Sequence, residues 1–399
     1  MRRRLSTIVA TWNTSKSITI RALMLATMLA FGNVAADACP FCPAVEPTLA
    51  QRRDEATACY LGEAETTDPK EAVVRFRVHQ TLKGMKSFTN EVAVSTCAKF
   101  DRGALAILIA NPGDGTMDWT AEPIDEAIAG YFAKLPGEDR PARERLAFFA
   151  ARLEHENSTI AADVMREFAR ADFADVRAVA PRIGRAKLRG WLDDASTCAD
   201  RRGFYGMLLG LSILDAAAAE MKPSATDLAA DRAWLAEAAF TPASDFRAGY
   251  DGVLAGYLLA NGAEGLKTLE AKLLDRPAAA VGDLKHAVTA LRFVQDEGPR
   301  ALRGAVETAY AKLLDRPETA AAVITDLARW GVGERVTEVV AWYDRQDGDA
   351  TIRRAVVGYL RRIKSPQAGE ALDALRRRDP DGVATAEAAL NALYGDPSR

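Results

Sequence analysis

The sequence predicts an α+β chain in two parts, a small five-stranded antiparallel β-barrel near the N-terminus followed by a long, mostly α-helical repeat domain. Three observations predict it. Between residue 56 and Trp119 apolar residues recur at every second position, the period of a half-buried strand. From Pro123 onward they recur every three or four positions, the period of a helix with one buried face. The heptapeptide Ala271-Lys272-Leu273-Leu274-Asp275-Arg276-Pro277 returns unchanged as Ala311 to Pro317, and Leu266 and Leu284 find apolar matches in Val306 and Ile324 at the same offset of 40. A period of that length belongs to solenoids of helical pairs, whose units bury their apolar faces only by stacking on neighbours.

At 399 residues and 49% apolar, the chain can bury a large core and has room for two or three domains. Residues 1–38 read as a secretory signal peptide. Arg2, Arg3, Arg4, Lys16 and Arg21 form a basic start, Ala22 to Phe31 an apolar run, and Ala36-Asp37-Ala38 a small-x-small cleavage site. That run is too short to span a bilayer, so no transmembrane segment is expected after cleavage. The expected location is periplasmic or extracellular. The formal charge is −3; without the five basic residues and one acidic residue of the leader, 47 basic and 54 acidic side chains leave −7. A net-acidic chain lacks the basic footprint that nucleic acid or an anionic membrane surface requires, so neither is expected as the main partner.

Past the leader come Cys39-Pro40-Phe41-Cys42-Pro43 and a short helix, Thr48 to Asp54. Strands are then predicted at 56–64, 73–79, 91–94 and 104–110, with a short fifth piece ending at Trp119. In Val73 to His79 the side chains of Val74, Phe76 and Val78 share one face, while Arg75, Arg77 and His79 share the other. Lys83-Gly84 and Gly113-Asp114-Gly115 supply turn chemistry. Five short strands in so few residues predict a small antiparallel barrel or sandwich. Helices are predicted at 124–135, 141–154, 158–171, 187–193, 204–218, 227–239, 246–259 and 266–274. They continue at 278–294, 300–314, 318–330, 334–345, 350–363, 367–377 and 383–393. Pro141 suits a first helical turn, and Asn157 or Ser158 an N-cap.

Several of these stretches resemble known modules. Cys39-Pro-Phe-Cys42, the first strand Ala58 to Ala64, the strand Phe76 to Leu82-Lys83-Gly84, Ser95-Thr96-Cys97 and the closing Asp114 to Trp119 resemble the netrin-like module, the OB-type barrel of tissue inhibitors of metalloproteinases. The resemblance places that module over residues 39–123. Two departures stand out: Cys-x-x-Cys replaces Cys-x-Cys, and most of the later cysteines of the inhibitors are missing. Asp349-Ala-Thr-Ile352-Arg353 and Asp379-Pro-Asp-Gly-Val383 resemble the signature of HEAT-type helical repeats, which the reading extends over 124–399. With the leader, the combination resembles a group of exported bacterial proteins of unknown function. It implies an architecture and no activity. It also implies a disulfide that pins the N-terminus to the barrel, with Cys97 joined to Cys39 or to Cys42.

All five cysteines, Cys39, Cys42, Cys59, Cys97 and Cys198, lie beyond the cleavage site, where an oxidising compartment closes pairs; an odd number leaves one free or bridging another chain. Cys59 falls within a strand pattern and reads as a small buried hydrophobe. Cys39-Pro-Phe-Cys42 matches the glutaredoxin tetrapeptide, which makes thiol–disulfide exchange an alternative function. The redox folds place that motif after a buried strand, however, whereas here it opens the mature chain. Cleavage after Ala38 would also free the Cys39 amine and carbonyl to chelate a protease zinc, which makes metalloprotease inhibition a second alternative.

His79, His155 and His286 are scattered without ligand-spaced companions, and no phosphate loop, dinucleotide fingerprint or nucleophile elbow is present. No catalytic, cofactor-binding or metal-binding residue is therefore assigned. Asp344 to Asp349 has the wrong spacing for a calcium loop, and Asp349 reads as a helix cap. The clusters Arg353-Arg354, Arg361-Arg362 and Arg376-Arg377-Arg378 read as a solvated face balanced by acids. Phe148, Phe149, Phe168, Trp191, Trp234, Trp330 and Trp342 read as inter-helix core. The leading expectation is a non-catalytic binding or scaffolding protein with a protein partner.

Overall fold

A computed structural model describes residues 46–68, 72–84, 90–114, 116–218, 225–241, 247–345 and 349–394. A short helix, α1 (Leu49–Glu55), leads into five antiparallel strands: β1 (Ala58–Asp68), β2 (Val73–Lys83), β3 (Glu91–Ser95), β4 (Leu105–Pro112) and β5 (Met117–Ile124). The sheet order is β3-β2-β1-β4-β5, and the sheet curls into a half-barrel. Register shifts in the β1–β2 pair fall between Cys59 and Tyr60, Leu61 and Gly62, and Ala64 and Thr66. Such bulges sharpen twist and bend the strand, which is how a flat ladder becomes a curled one.

The two faces of the sheet have different neighbours. Tyr60, Ala64, Val74, Phe76, Val92, Val94, Leu108 and Phe100 form a core of their own on one side, where Phe76 and Phe100 meet edge-on at 4.9 Å. Cys59, Leu61, Ile107 and Ile109 face the other way and join the core of the helices. β4 is therefore buried on both faces, which is why Ala106 to Ala110 is an unbroken apolar run, whereas β2 alternates. β5 was expected to end at Trp119 but starts at Met117 and runs to Ile124, pairing Trp119 with Ala110. Its side chains are exposed or half-buried, so its period-two contrast is weak.

Helices follow: α2 (Glu126–Phe132), α3 (Ala142–Ala150), α4 (Ser158–Arg170), α5 (Phe173–Ile183), α6 (Arg185–Asp193), α7 (Ala199–Ala218) and α8 (Ala225–Phe240). Next are α9 (Tyr250–Leu269), α10 (Val281–Glu297), α11 (Arg303–Ala311), α12 (Pro317–Trp330), α13 (Val336–Arg345), α14 (Ala350–Arg362), α15 (Pro366–Arg378) and α16 (Pro380–Tyr394). The predicted fold class, a small antiparallel sheet followed by a helix-rich region, is the observed one. No helix among the described residues is long and apolar enough to cross a membrane. α5 was not predicted; it carries Pro181 in its last turn and ends at Gly184, yet it buries Phe173, Val176, Val179, Ala180 and Ile183. The two predicted helices on either side of residue 262 belong to α9, which breaks at Gly262 (φ 57°, ψ −135°).

The repeated heptapeptide sits at two equivalent helix ends, folded differently. Its first copy lies in a π-turn, Glu270–Leu274, and its second in a 3-10 turn, Lys312–Asp315. The second copy docks on the first. Lys312 Nζ reaches Glu270 at 2.7 Å and Asp275 at 2.9 Å. The Arg316 guanidinium donates to the carbonyls of Leu274, Arg276 and Pro277 at 3.2, 2.8 and 3.1 Å. The carbonyl of Leu274 ends the π-turn and those of Arg276 and Pro277 lie just beyond its cap, so one layer caps the next.

The same tie recurs along the stack. Arg143–Asp175, Arg177–Asp215, Arg247–Asp283, Arg292–Asp326, Asp296–Arg329 and Asp344–Arg378 join residues 32–38 positions apart. Exposed pairs contribute little each, but a regular series of them fixes how successive layers register.

At one helix contact backbone meets backbone with no side chain between. Gly203, Gly206 and Gly210 of α7 lie against Gly249, Gly252 and Gly256 at the start of α9, the two helices running in the same sense. A Cβ at Gly252 would overlap the Gly203 carbonyl, and one at Gly256 the Gly206 carbonyl.

Candidate functional site

Cys39 and Cys42 lie outside the described residues, as does the leader. Cys97 follows the end of β3 and is exposed; the neighbouring Thr96 N–H donates to the Ala72 carbonyl at 2.9 Å. Cys198 is exposed just before α7. Among the described residues Cys59, Cys97 and Cys198 carry free thiols. Cys59 is fully buried on the helix-facing side of β1, as its strand pattern predicted. Burial pushes its thiol up to about 11, against the opposing pull of Arg53 and Arg52. Reactivity follows the thiolate and its exposure. A maleimide at pH 7 will therefore label Cys198 within minutes and Cys59 only after denaturation, as intact mass and peptide mapping will show; native labelling of Cys59 at the rate of Cys198 would contradict this placement.

The outward face of β1 and β2 carries an exposed polar cluster. His79 Nε2 lies 2.8 Å from Glu63, and Arg77 lies 3.2 Å from Glu63 and 3.4 Å from Glu65. The hydrogen bonds from His79 and then Arg77 hold the Glu63 carboxyl below its ordinary value. His155 Nδ1 accepts the Asn157 N–H at 3.0 Å beside the cap of α4. His286 stands 3.6 Å from Asp251 with its ring against Tyr250. The three histidines thus occupy three separate places. No group of three or more His, Cys, Asp or Glu side chains among the described residues is placed to hold a metal ion.

Three of the seven arginines in the clusters face acids, while Arg361 and Arg362 donate instead to Asn391 Oδ1 and to the Ala328 carbonyl at 2.9 and 3.0 Å. Arg353 faces Asp379 at 3.7 Å, Arg376 faces Asp373 and Glu387 at 3.1 and 2.7 Å, and Arg378 faces Asp344 at 2.9 Å. Asp349 caps α14 by accepting the Thr351 and Ile352 N–H groups; residues 346–348 of the acidic stretch lie outside the described residues. Phe149, Phe168 and Trp342 are fully buried, and Phe148, Trp191, Trp234 and Trp330 pack half-buried against the same core.

Sequence reasoning missed the buried polar groups between helices. Tyr205 donates to Glu154, whose carboxylate also faces Arg201 at 3.0 Å. Tyr310 donates to Asp326, which takes a second bond from Arg292 Nε at 2.8 Å. Tyr131 donates to Asp163 at 2.7 Å. Desolvation, reinforced by the acceptor carboxylate, pushes all three tyrosine hydroxyls far up. These hydroxyls act as fixed donors tying one layer to the next. A signal was present at Asp163 and Glu167, which interrupt the buried arc formed by Ile160, Val164 and Phe168 on α4. An acid inside an apolar stripe is the kind of conflict worth noting.

Comparison of the chain with family models, with curated proteins and with solved structures gives no match.

Proposed function

We propose that the chain is an exported, non-catalytic binding or scaffolding protein, working in the periplasm or outside the cell and presenting its helical stack to a protein partner. The observation that carries this reading is the way the layers are held. Each strongly shifted tyrosine lies between elements in a hydrogen bond that orders the stack, and arginine–acid pairs recur at one-layer intervals. Polar chemistry is spent on holding a rigid surface, and rigid extended helical surfaces are what repeat proteins use to bind. On the last layers Glu334, Lys364, Glu370 and Arg377 remain exposed for a partner.

On this reading the half-barrel is a netrin-like OB-type module over 39–123 and the helices a HEAT-like domain over 124–399. β2 supports the first assignment: its Leu-Lys end passes into Gly84 at φ 89°, where an added Cβ would press on Ala58. Asp349 and Asp379 support the second, since each accepts backbone N–H groups of the helix it precedes. The Cys97 thiol is assigned to a bridge with Cys39 or Cys42 in the exported protein.

Photo-crosslinking in cells tests the binding function. A photoreactive residue at Glu370 or Arg377 is expected to trap one discrete protein, while the same residue at Lys187, on α6, traps none; absence of an adduct, or the same adducts from every position, would refute the reading. Purified protein should show no catalysed reduction of insulin by dithiothreitol, and turnover there would favour the thiol–disulfide alternative instead.

A further inference from the structure

The first turn of α1 is seated on α4 by two buried carboxylates one helical turn apart. Asp163 Oδ1 accepts the Leu49 N–H at 2.7 Å, and Oδ2 accepts the Tyr131 hydroxyl at 2.7 Å. Glu167 accepts the Thr48 hydroxyl and faces Arg145 Nη2 at 3.6 Å. Glu167 Oε1 and Arg145 Nε are both buried without a hydrogen-bond partner among the described residues. Asp163 is 1% and Glu167 7% exposed.

The charges around this pair do not balance it. α1 contributes Arg52, already paired with Glu122 at 2.5 Å, and Arg53, which is spent on Asp54 and the carbonyls of Leu135 and Pro136. α2 contributes the neutral hydroxyl of Tyr131, α3 contributes Arg145, and the turn after α3 contributes Arg152, which is stacked on Phe148. α4 itself adds Arg166, paired with Glu46 at 2.7 Å, and Arg170. Among the described residues only Arg145 makes an ion pair with either carboxylate, and at a long distance. Two like charges in a dry site with one distant counter-charge cost more than the same site holding a proton.

We propose that Asp163 and Glu167 form a proton-operated latch: taking up a proton tightens the seat of α1 on α4, and losing it loosens that seat. Desolvation raises both carboxyls from their ordinary values of 3.8 and 4.5, and for Glu167 the neighbouring Asp163 adds to the effect. A carboxyl raised in the folded state binds its proton more tightly there than in the open chain. Its stabilisation is complete below the ordinary value and is lost as pH rises through the folded value. The two groups titrate as a unit, so the transition belongs to the pair. Because α1 leads directly into β1, the latch sets how firmly the N-terminal segment and the sheet are held against the helices.

Hydrogen–deuterium exchange of the full chain, corrected for intrinsic rates, tests this. Protection of the 49–55 amides is expected to be lost progressively as pH rises from 5 to 8, with α12 as the internal reference that stays nearly constant. Glu167→Gln keeps the shape and the Thr48 contact without the charge, so at pH 8 it should show the protection that wild type shows at pH 5. Asp163→Asn should flatten the pH dependence in the same way and serves if the first variant does not fold. Equal pH dependence of α1 and α12 in wild type, or an unchanged α1 dependence in either variant, would overturn the proposal.

Discussion

Gly252→Ala will destabilise the protein by about 3 kcal/mol, although alanine is the better helix former by about 1 kcal/mol. The added methyl has nowhere to go. It would meet the carbonyl oxygen, carbonyl carbon and Cα of Gly203, which are backbone atoms of α7 and cannot rotate aside as a side chain would. The helices must separate, and separation opens voids among Phe204, Leu208, Leu211, Leu254 and Leu258, all fully buried. The control is built into the sequence. Gly190 on α6 and Gly369 on α15 have open space where a Cβ would stand, so Gly190→Ala and Gly369→Ala should stabilise by up to about 1 kcal/mol. Chemical denaturation of the three variants decides the matter. If Gly252→Ala behaves like the two controls, the close approach of α7 and α9 is wrong.

Asp326→Ala will cost about 2–3 kcal/mol. Asp326 is 4% exposed and gathers three helices: Arg292 of α10 at 2.7 Å, Tyr310 of α11, and Arg329 of its own helix at 3.5 Å. Removing the carboxylate leaves a guanidinium and a hydroxyl facing each other with no acceptor. The cost stays below that of a fully buried pair because the Arg292 side chain keeps 38% of its exposure. Tyr310→Phe removes one bond to a retained acceptor and should cost about 1 kcal/mol. In a double-mutant cycle, Arg292→Ala combined with Asp326→Ala should cost less than the sum of the single changes, since the second change removes the group the first one stranded. Strict additivity would mean that the pair is not coupled.

Much of this architecture could be read from local pattern. Val73 to His79 specified a strand and its two faces because a half-buried strand alternates, and Val74 and Phe76 are buried where that alternation put them. Asp349 announced the start of α14, because a cap needs only its own side chain and the next turn of backbone. Where the signal was not local, the reading fell short. β5 extends five residues past Trp119 because it is stitched to β4 from Leu105 to Pro112, a pairing its own mixed sequence does not advertise. The heptapeptide is the sharpest case, since identical residues form a π-turn in one copy and a 3-10 turn in the other. Only the surroundings differ, and Lys312 and Arg316 find their acceptors on the neighbouring layer.

Sequence alone determined the order of the strands and of the helices other than α5, the change from period two to period three or four near residue 123, and the burial of Cys59, of one face of β2 and of the aromatic residues between helices. Those properties follow from hydrophobic periodicity and short-range capping, which act within a few residues. Tertiary structure decided that the glycines of α7 and α9 touch backbone to backbone. It also decided that Tyr131, Tyr205 and Tyr310 find carboxylates 32, 51 and 16 positions away, and that Asp163 and Glu167 share a dry site beneath α1. Each of these depends on which surfaces meet, and a burial cost or a close approach exists only once two distant segments are brought together.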